Sequence, residues 1–506
     1  MLRKKVQQLN FYAELYDKIP EDHLLKQINA AISFEFINEM LAKRYCQDHG
    51  RPAKEPEMML RLLMLQRLYE LSDERVIEET QVNLAYMWFI GINPDEQLPH
   101  PSLMAKFRTI RLKDMDINDI LTEVVKQCVT KGIITAENGI SIDTTHILAN
   151  TSKKVPERIM KHLAKKIFKA MDKTDYEIPD YTQIEDHQES KRVMKEYLEG
   201  VIEIASECAQ KEVDLAKKII ESPLFIEQKG IRSIIDTDAR VGYKSKTDSF
   251  FGYKMEYTLT TSGRLITGVG LHNGAYVDGT DFNKLFELSS NAGLNIKAIY
   301  GDKAYFKKEL LALAQKEELK VYIPVSACTY RIDEDFFQYN KDSDEWVCKQ
   351  GNRTVSKKVK STNRKDRGNS KYLEYCFDKN DCINCPFRNE CIKEAKTKAK
   401  RLIVGINSGE FYEHSQWAKT EEFLAEYKKR SAVEWKNAEM KRFHGLARAK
   451  GYGLKSVSFQ AKLTALAVNL KRIARIVSSL NEHFCLFMDK LMTNLSNSAN
   501  YFLKFA

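Results

Sequence analysis

The sequence lacks any run of about 18 apolar residues, the length that a helix needs to cross a membrane. Its most apolar stretch, MMLRLLMLQRLYEL, is shorter than that and is interrupted by Arg61 and Arg67. The first residues, MLRKKVQQLNFYAELYD, contain no apolar signal core. We therefore expect neither a membrane span nor a membrane partner.

Cysteine is present, but its distribution does not indicate a disulfide framework. The 506 residues include ten cysteines, most of them isolated, whereas small disulfide-stabilised domains concentrate theirs in a short chain. A hydrophobic content of 43% and a charged content of 30% indicate a soluble globular protein, and the length suggests about two to four domains. These features favour a reducing cytoplasm.

Basic charge and short helices suggest nucleic acid as a partner. The formal net charge is +10 and the isoelectric point is about 8.8, which favours a polyanionic partner without requiring one. Residues 1–130 read as short helices joined by tight turns, which suits either a helix-turn-helix reader of duplex DNA or a plain helical bundle. The last of these helices carries Lys106, Arg108 and Arg111.

Residues 427–441, YKKRSAVEWKNAEMK, contain no proline or glycine and are rich in good helix formers, so the pattern predicts one α-helix. At about 100° per residue, four polar residues share a sector about 60° wide. A carboxylate on one stripe with two cations and a phenol suits a site for a divalent metal and phosphate. A solvated face with i,i+4 ion pairs is the alternative. The four residues are Tyr427, Arg430, Glu434 and Lys441.

Two further features suit contact with DNA. Residues 442–454, RFHGLARAKGYGL, are basic, aromatic and glycine-bearing, so a DNA backbone could approach them closely. Trp346 and Trp435 could stack on an unpaired base, although most tryptophans are core residues.

Two aspartates occupy unusual positions relative to predicted strands. Asp143 lies in the middle of NGISIDTTHI, an alternating strand pattern in which aspartate is disfavoured. Such a residue indicates an edge strand, a metal ligand or a buried partner. Asp302 follows the short apolar strand IKAIY, where α/β sheets place their sites. A turn aspartate that caps the next helix is the alternative for Asp302.

Residues 326–400 are polar, rich in lysine and contain six cysteines, five of them from Cys348 onward. Cys376, Cys382, Cys385 and Cys391 have the spacing C-x5-C-x2-C-x5-C, which resembles a zinc knuckle. Four thiolates would give a closed tetrahedral structural Zn²⁺ site. Cys348 could replace Cys376 as a ligand, and a reduced, metal-free loop is the alternative.

Several of these motifs together resemble one family. Four residues match without a gap the Y-(2)-R-(3)-E-(6)-K signature of a large branch of bacterial insertion-sequence transposases: Tyr427, Arg430, Glu434 and Lys441. Asp143 in SIDTTHI and Asp302 in YGDKAY are similar to the first and second catalytic aspartates of these DDE transposases. The segment PEMMLRLLMLQRLYELSDERVIEE resembles their helical DNA-binding domain, and TDAR before GYK is also typical. The resemblance covers residues 40–475.

The resemblance implies an α/β fold with an RNase H-like core, that is, a mixed five-stranded sheet with helices. It implies that Asp143, Asp302 and Glu434 are catalytic and hold Mg²⁺ or Mn²⁺. Three carboxylates repel one another unless a cation neutralises them, and oxygen ligands favour these ions over zinc. Tyr427, Arg430 and Lys441 would hold DNA phosphates.

The implied function is transposition of an insertion sequence in the bacterial cytoplasm, at the nucleoid. A homodimer would bind double-stranded DNA, comprising the terminal inverted repeats and the target, and catalyse metal-dependent strand cleavage and strand transfer. The alternatives are a nuclease or resolvase with the same fold, which cuts without joining, and a non-catalytic DNA-binding protein descended from a transposase.

The domain organisation expected from the sequence has an all-α N-terminal domain and two insertions in the catalytic core. Its parts are a DNA-binding domain (1–130), the core (131–150 and 229–325), a helical insertion (151–228), a cysteine-rich insertion (326–400), the rest of the core with Glu434 (401–475) and a helical tail (476–506).

Overall fold

A computed structural model describes residues 12–46, 53–205, 208–222, 225, 227, 230–245, 247–364, 368–392 and 397–502. The chain forms two compact units. Unit 1 contains Met1–Lys297 and Ser431–Ala506, and unit 2 contains Ala298–Arg430.

The N-terminal region of unit 1 is helical. Proline opens α4, where its missing N–H costs nothing, and the Ser72 hydroxyl accepts the Arg75 N–H at the start of α5 (3.1 Å). Arg108 binds Asp73 at 2.8 Å, and the Arg111 guanidinium lies 4.3 Å from the Tyr45 ring centroid. Two of the three basic residues assigned to DNA thus make contacts within the bundle. The helices are α1 Ala13–Tyr16, α2 Leu24–Ala31, α3 Phe36–Leu41, α4 Pro56–Leu68, α5 Asp73–Val82, α6 Leu84–Ile90, α7 Ser102–Lys106 and α8 Ile117–Thr130.

The main sheet follows these helices in the chain. It contains six strands instead of the expected five, because a short strand, β2, also pairs with the start of β3. Strand β3 runs antiparallel to β1, β2 and β4. The Asn295 N–H at the start of β5 donates to Ala136 C=O next to β1 (2.9 Å). The elements are β1 Glu137–Leu148, α9 Pro156–Ala170, α10 His187–Ala205, α11 Gln210–Ile220, β2 Arg240–Tyr243, β3 Ser249–Thr260, β4 Ile266–Asn273, α12 Phe282–Asn291 and β5 Asn295–Tyr300.

Helices α9, α10 and α11 pack around an apolar core of their own. Ile159, Leu163 and Ile167 recur at helical spacing on α9 and pack with Leu198 of α10 and Val213 of α11. All five are almost fully buried. The charged residues of these helices are exposed or partly exposed, except Glu157, which is buried and accepts a hydrogen bond from the Ser190 hydroxyl (3.0 Å).

Unit 2 begins within β5, whose residues 298–300 pair in parallel with β6. The cysteine-rich region is built from strands: β7 and β8 form a hairpin, and β9, β10 and β11 form an antiparallel sheet. The elements are α13 Lys308–Lys316, β6 Lys320–Tyr322, β7 Phe337–Asn340, β8 Glu345–Cys348, β9 Thr354–Arg364, β10 Gly368–Phe377, α14 Lys379–Ile383, α15 Arg388–Cys391, β11 Arg401–Gly405, α16 Ser408–Trp417 and α17 Glu421–Tyr427.

The chain from 427 to 441 is not the single α-helix that the sequence predicted. Helix α17 ends at Tyr427, a 3₁₀ turn spans Lys428–Ser431, and α18 runs from Ala432 to Phe443. A 3₁₀ turn advances by about 120° per residue instead of about 100°. The shared stripe therefore holds only for Glu434 and Lys441, which both lie on α18.

The last helix, α19, runs from Gly453 to Phe502. Between α18 and α19 the chain pairs with the end of β1, where the Leu148 N–H donates to Ala447 C=O (3.0 Å) and the Ala449 N–H donates to Leu148 C=O (2.8 Å). Within the described part of the chain, no helix is long and apolar enough to span a bilayer.

The Asn469 amide of α19 pairs with both backbone groups of Ile266 in β4, at 2.8 and 2.7 Å, and both residues are fully buried. Asn469→Ala would leave a buried N–H and a buried C=O without a partner. We expect the free energy of unfolding to fall by about 2–4 kcal/mol. Chemical denaturation measures this, with the exposed Asn291→Ala as the control, and equal stabilities of the two variants would contradict the prediction.

Candidate active site

Asp143 lies in the middle of β1, opposite Tyr257 of β3, and is 8% exposed. The Asn437 side-chain amide of α18 donates to Asp143 Oδ2 at 2.7 Å. The Tyr257 hydroxyl lies 3.0 Å from both Asn437 Oδ1 and Val433 C=O and shares its proton between them. These contacts, which we call the α18 clamp, hold helix α18 against the two strands β1 and β3.

Glu434 lies in the first turn of α18, three residues before Asn437, and is exposed. Residues three apart on a helix are neighbours on its surface. The clamp therefore fixes the first turn of α18, which carries Glu434, next to β1, which carries Asp143. The site residues predicted from the sequence do not include Asn437, although its i+3 spacing from Glu434 places both residues on the same face of the helix.

Lys441 lies in the last turn of α18, with its Nζ 3.3 Å from His146 Nδ1. Burial lowers the pKa of Lys441 to about 8, and Lys244 adds to this effect while Asp143 opposes it. Burial also lowers the pKa of His146 to about 4, helped by the charges of Lys441 and Lys244. At pH 7 the histidine is therefore neutral, and its Nδ1 accepts a hydrogen bond from the Lys441 ammonium, which is still mostly charged.

Asp302 belongs to unit 2 and lies two residues after the end of β5. Its carboxylate accepts the Ala304 N–H at 2.8 Å and so caps the 3₁₀ turn Lys303–Tyr305. The structure therefore contains the turn cap that the sequence offered as the alternative for Asp302. This hydrogen bond orients the half-buried carboxylate at the end of β5.

Tyr427 and Arg430 also belong to unit 2. Tyr427 stacks on Phe423, with ring centroids 5.8 Å apart, and packs against a buried cluster that includes Tyr300 of β5. The Tyr300 hydroxyl donates to Glu426 Oε2 at 2.7 Å. Helix α17 is therefore fixed to the strand that precedes Asp302, and the half-buried Arg430 follows in the 3₁₀ turn.

The predicted site residues thus fall into two groups. Asp143 is held to the helix of Glu434 and Lys441 in unit 1, whereas the strand before Asp302 packs with the helix that ends at Tyr427 in unit 2. Over the ranges that the structure describes, no three His, Cys, Asp or Glu side chains are arranged to hold a metal ion. The donor chemistry of three carboxylates nevertheless fits Mg²⁺ or Mn²⁺.

The cysteine-rich region of unit 2 has a different thiol arrangement from the predicted one. Cys348, Cys382, Cys385 and Cys391 line one cavity, and Cys376 does not. Burial raises the pKa of the Cys391 thiol, Lys400 opposes this, and the three neighbouring thiols of the cavity raise it further. Cys376 lies on β10, with its Sγ 3.7 Å from Glu374 Oε1.

Comparisons with known proteins add to this geometry. Residues 13–109 match a family model described as Transposase domain (DUF772), and residues 347–474 match one described as Transposase DDE domain. The two matches cover less than half of the chain, and they support an insertion-sequence DDE transposase. The second match contains the Y-(2)-R-(3)-E-(6)-K residues and the cavity cysteines, while Asp143 and Asp302 lie outside both matches.

The solved structures similar to this chain include a cryo-EM structure of the piggyBac transposase synaptic complex with hairpin DNA. The sequence identity is 10%, the TM-score is 0.30, and the match covers 91% of this chain and 74% of that chain. Comparison with curated proteins gave no match.

The two tryptophans considered for base stacking differ in exposure. Trp346 is fully buried and packs with Tyr339, Tyr375 and Tyr412, so the prediction that it stacks on a base is wrong. Trp435 is 74% exposed on α18, next to Glu434.

The α18 clamp is testable by a double-mutant cycle of Tyr257→Phe and Asn437→Ala. Because the two side chains share a hydrogen bond, we expect their effects on the free energy of unfolding to be coupled by about 0.5–3 kcal/mol. Tyr257→Phe combined with Asn291→Ala is the control pair and should be additive. Additivity in the first cycle would show that the clamp contributes nothing.

Proposed function

We propose that the transposase binds the inverted-repeat ends of an insertion sequence and catalyses metal-dependent DNA strand cleavage and strand transfer. The observation that carries the proposal is the 2.7 Å contact between Asp143 and Asn437, residues 294 apart in the chain. It joins the first predicted catalytic acid to the helix that carries the third.

The strand pattern supports an RNase H-like core for this activity. β1, β3 and β4 are antiparallel neighbours, and β5 runs parallel to β6. Asp143 lies on the first strand, Asp302 follows β5, and Glu434 lies on a later helix. This is the order of acids that the resemblance implies, with the short β2 as an additional strand.

Asp143, Asp302 and Glu434 are the residues that would hold Mg²⁺ or Mn²⁺ in the proposed site. When bound, such ions activate a water or a DNA 3′-hydroxyl and stabilise the leaving oxygen in an in-line displacement at phosphorus. The protein's own part is to position the acids. Asn437 keeps Asp143 in place by a hydrogen bond to one of its oxygens, and the Ala304 N–H does the same for Asp302.

Phosphate positioning is assigned to Tyr427, Arg430 and Lys441. A guanidinium can bind two phosphate oxygens at once, an ammonium binds one as a point charge, and a phenol donates one hydrogen bond. The hydrogen bond from Lys441 to His146 orients its ammonium. These contacts would fix the backbone beside the cut and carry no base specificity.

The partners proposed are double-stranded DNA, as terminal inverted repeats and as target, and a second copy of the chain in the synaptic complex. The N-terminal helices would contribute to end binding. Lys106 is an exposed residue at the end of α7, whereas Arg108 and Arg111 make contacts inside the bundle. We therefore assign Lys106, and neither arginine, to contact with DNA in this region.

The decisive experiment compares Asp143→Asn, Asp302→Asn and Glu434→Gln with wild type in a cleavage assay on DNA carrying the element's ends. Each change removes one anionic ligand, so we expect cleavage with Mg²⁺ to fall by more than about 100-fold while end binding persists. Glu287→Gln, on an exposed position of α12, is the matched control and should cleave normally.

A strand-transfer assay with pre-cleaved ends separates transposition from the related activities. A transposase joins these ends to target DNA, a resolvase only cuts, and a non-catalytic DNA-binding protein does neither. Normal cleavage by any one of the three acid variants would remove that residue from the proposed site.

The Lys441 contact should depend on pH. Its pKa of about 8 means that the ammonium loses its charge as the pH rises from about 7 to 9, whereas an arginine at this position stays protonated. The affinity of the wild type for the element's ends should therefore fall by about tenfold over this interval. The Lys441→Arg variant should not show this fall in affinity. Lys297→Arg, on an exposed position of β5, is the control and should keep the wild-type profile. Identical profiles for all three proteins would argue against the assignment.

A further inference from the structure

The cavity in the cysteine-rich region of unit 2 collects thiols from three separate elements. Cys348 ends β8, Cys382 lies in α14 with Cys385 just after it, and Cys391 ends α15. The cavity has a volume of about 30 Å³. This is enough for an ion or a water molecule and far below the roughly 300 Å³ of a pocket for an organic ligand.

The walls of the cavity are apolar and cationic. Four phenylalanines enclose it, and Lys349, Arg388 and Lys400 lie among them. The Lys349 Nζ lies 5.0 Å from the ring centroid of Phe336, and the Lys400 Nζ lies 5.4 Å from that of Phe337. A divalent ion bound by four thiolates carries two net negative charges, which these cations can offset. The four phenylalanines are Phe336, Phe337, Phe377 and Phe387.

Backbone contacts hold the cysteine-bearing turns in place. The Lys400 N–H donates to Cys382 Sγ at 3.4 Å, and the Lys400 Nζ donates to Cys391 C=O at 2.8 Å. The Arg388 guanidinium donates to Cys382 C=O at 3.0 Å. Hydrogen bonds from the protein to ligand sulfurs and ligand backbones are the outer contacts that orient metal ligands.

Cys376 is excluded by its position in β10. Its Sγ lies near Glu374 Oε1, two residues earlier, so these side chains share one face of the strand. Phe377, the next residue, lines the cavity. The sequence left open whether Cys348 replaces Cys376, and the cavity contains Cys348, which lies more than thirty positions before Cys382 and ends the β7–β8 hairpin.

We propose that Cys348, Cys382, Cys385 and Cys391 form a structural zinc site. As they stand, no three of these thiols are arranged to hold an ion. Zinc–sulfur bonds of about 2.3 Å in a tetrahedral site would draw the sulfurs to within about 3.8 Å of each other. Four protein ligands leave no open position, so the ion ties the β7–β8 hairpin to α14 and α15 and takes no part in DNA cleavage.

The test measures zinc in full-length protein purified under reducing conditions without chelator. We expect one zinc per chain in wild type and in Cys376→Ser, and a loss of most of the zinc in Cys348→Ser. Zinc retained by Cys348→Ser but lost from Cys376→Ser would overturn the assignment. Wild-type protein without zinc, or with a disulfide between two of the four cysteines, would also overturn it.

A spectroscopic measurement keeps the test decisive if Cys348→Ser fails to fold. Co²⁺ exchanged into wild type should give the absorption of a tetrahedral four-thiolate site, and Cys376→Ser should give the same spectrum at the same intensity. A spectrum typical of fewer thiolates, or one that changes in Cys376→Ser, would refute the ligand set. Both measurements are independent of DNA cleavage, so their outcome can be told apart from a failure of the proposed function.

Discussion

The arrangement of unit 1 depends on one hydrogen-bonded contact between distant parts of the chain. Tyr257 and Asp143 lie opposite each other on β3 and β1, and Asn437 of α18 bonds to both. A buried carboxylate is costly without hydrogen-bond donors, and a buried amide is costly without partners, so each group stabilises the other. Together with the contact between Lys441 and His146, it fixes where α18 lies relative to β1.

The same face of the helix also sets an electrostatic environment. Lys441, His146 and Lys244 lie close enough for each cation to affect its neighbours, and the result is a neutral histidine beside a lysine with a lowered pKa. Burial has already removed part of the water around this lysine in the free protein. It therefore loses less hydration than an exposed lysine when a phosphate approaches. The burial that weakens the ammonium in the free protein thus suits it to an anionic partner.

Much of this organisation could be predicted from the sequence. The alternating pattern around Asp143 predicted β1, and the glycine–aspartate pair after IKAIY predicted the end of β5. The helix of Glu434 followed from its composition, but the 3₁₀ turn at Lys428–Ser431 did not, because every residue there is an acceptable helix former. Pairing of Cys348 with the later cysteines and bonding of Asn437 to Asp143 depend on tertiary packing, which spacing along the chain does not encode.

The position of α18 late in the chain has a consequence for synthesis. Strands β1 and β3 leave the ribosome well before residues 432–443, which must then dock on a sheet that is already formed. Contacts across such long separations form slowly and carry a large loop-closure cost. A nascent or prematurely terminated chain therefore lacks the helix whose Asn437 bonds to Asp143 and Tyr257.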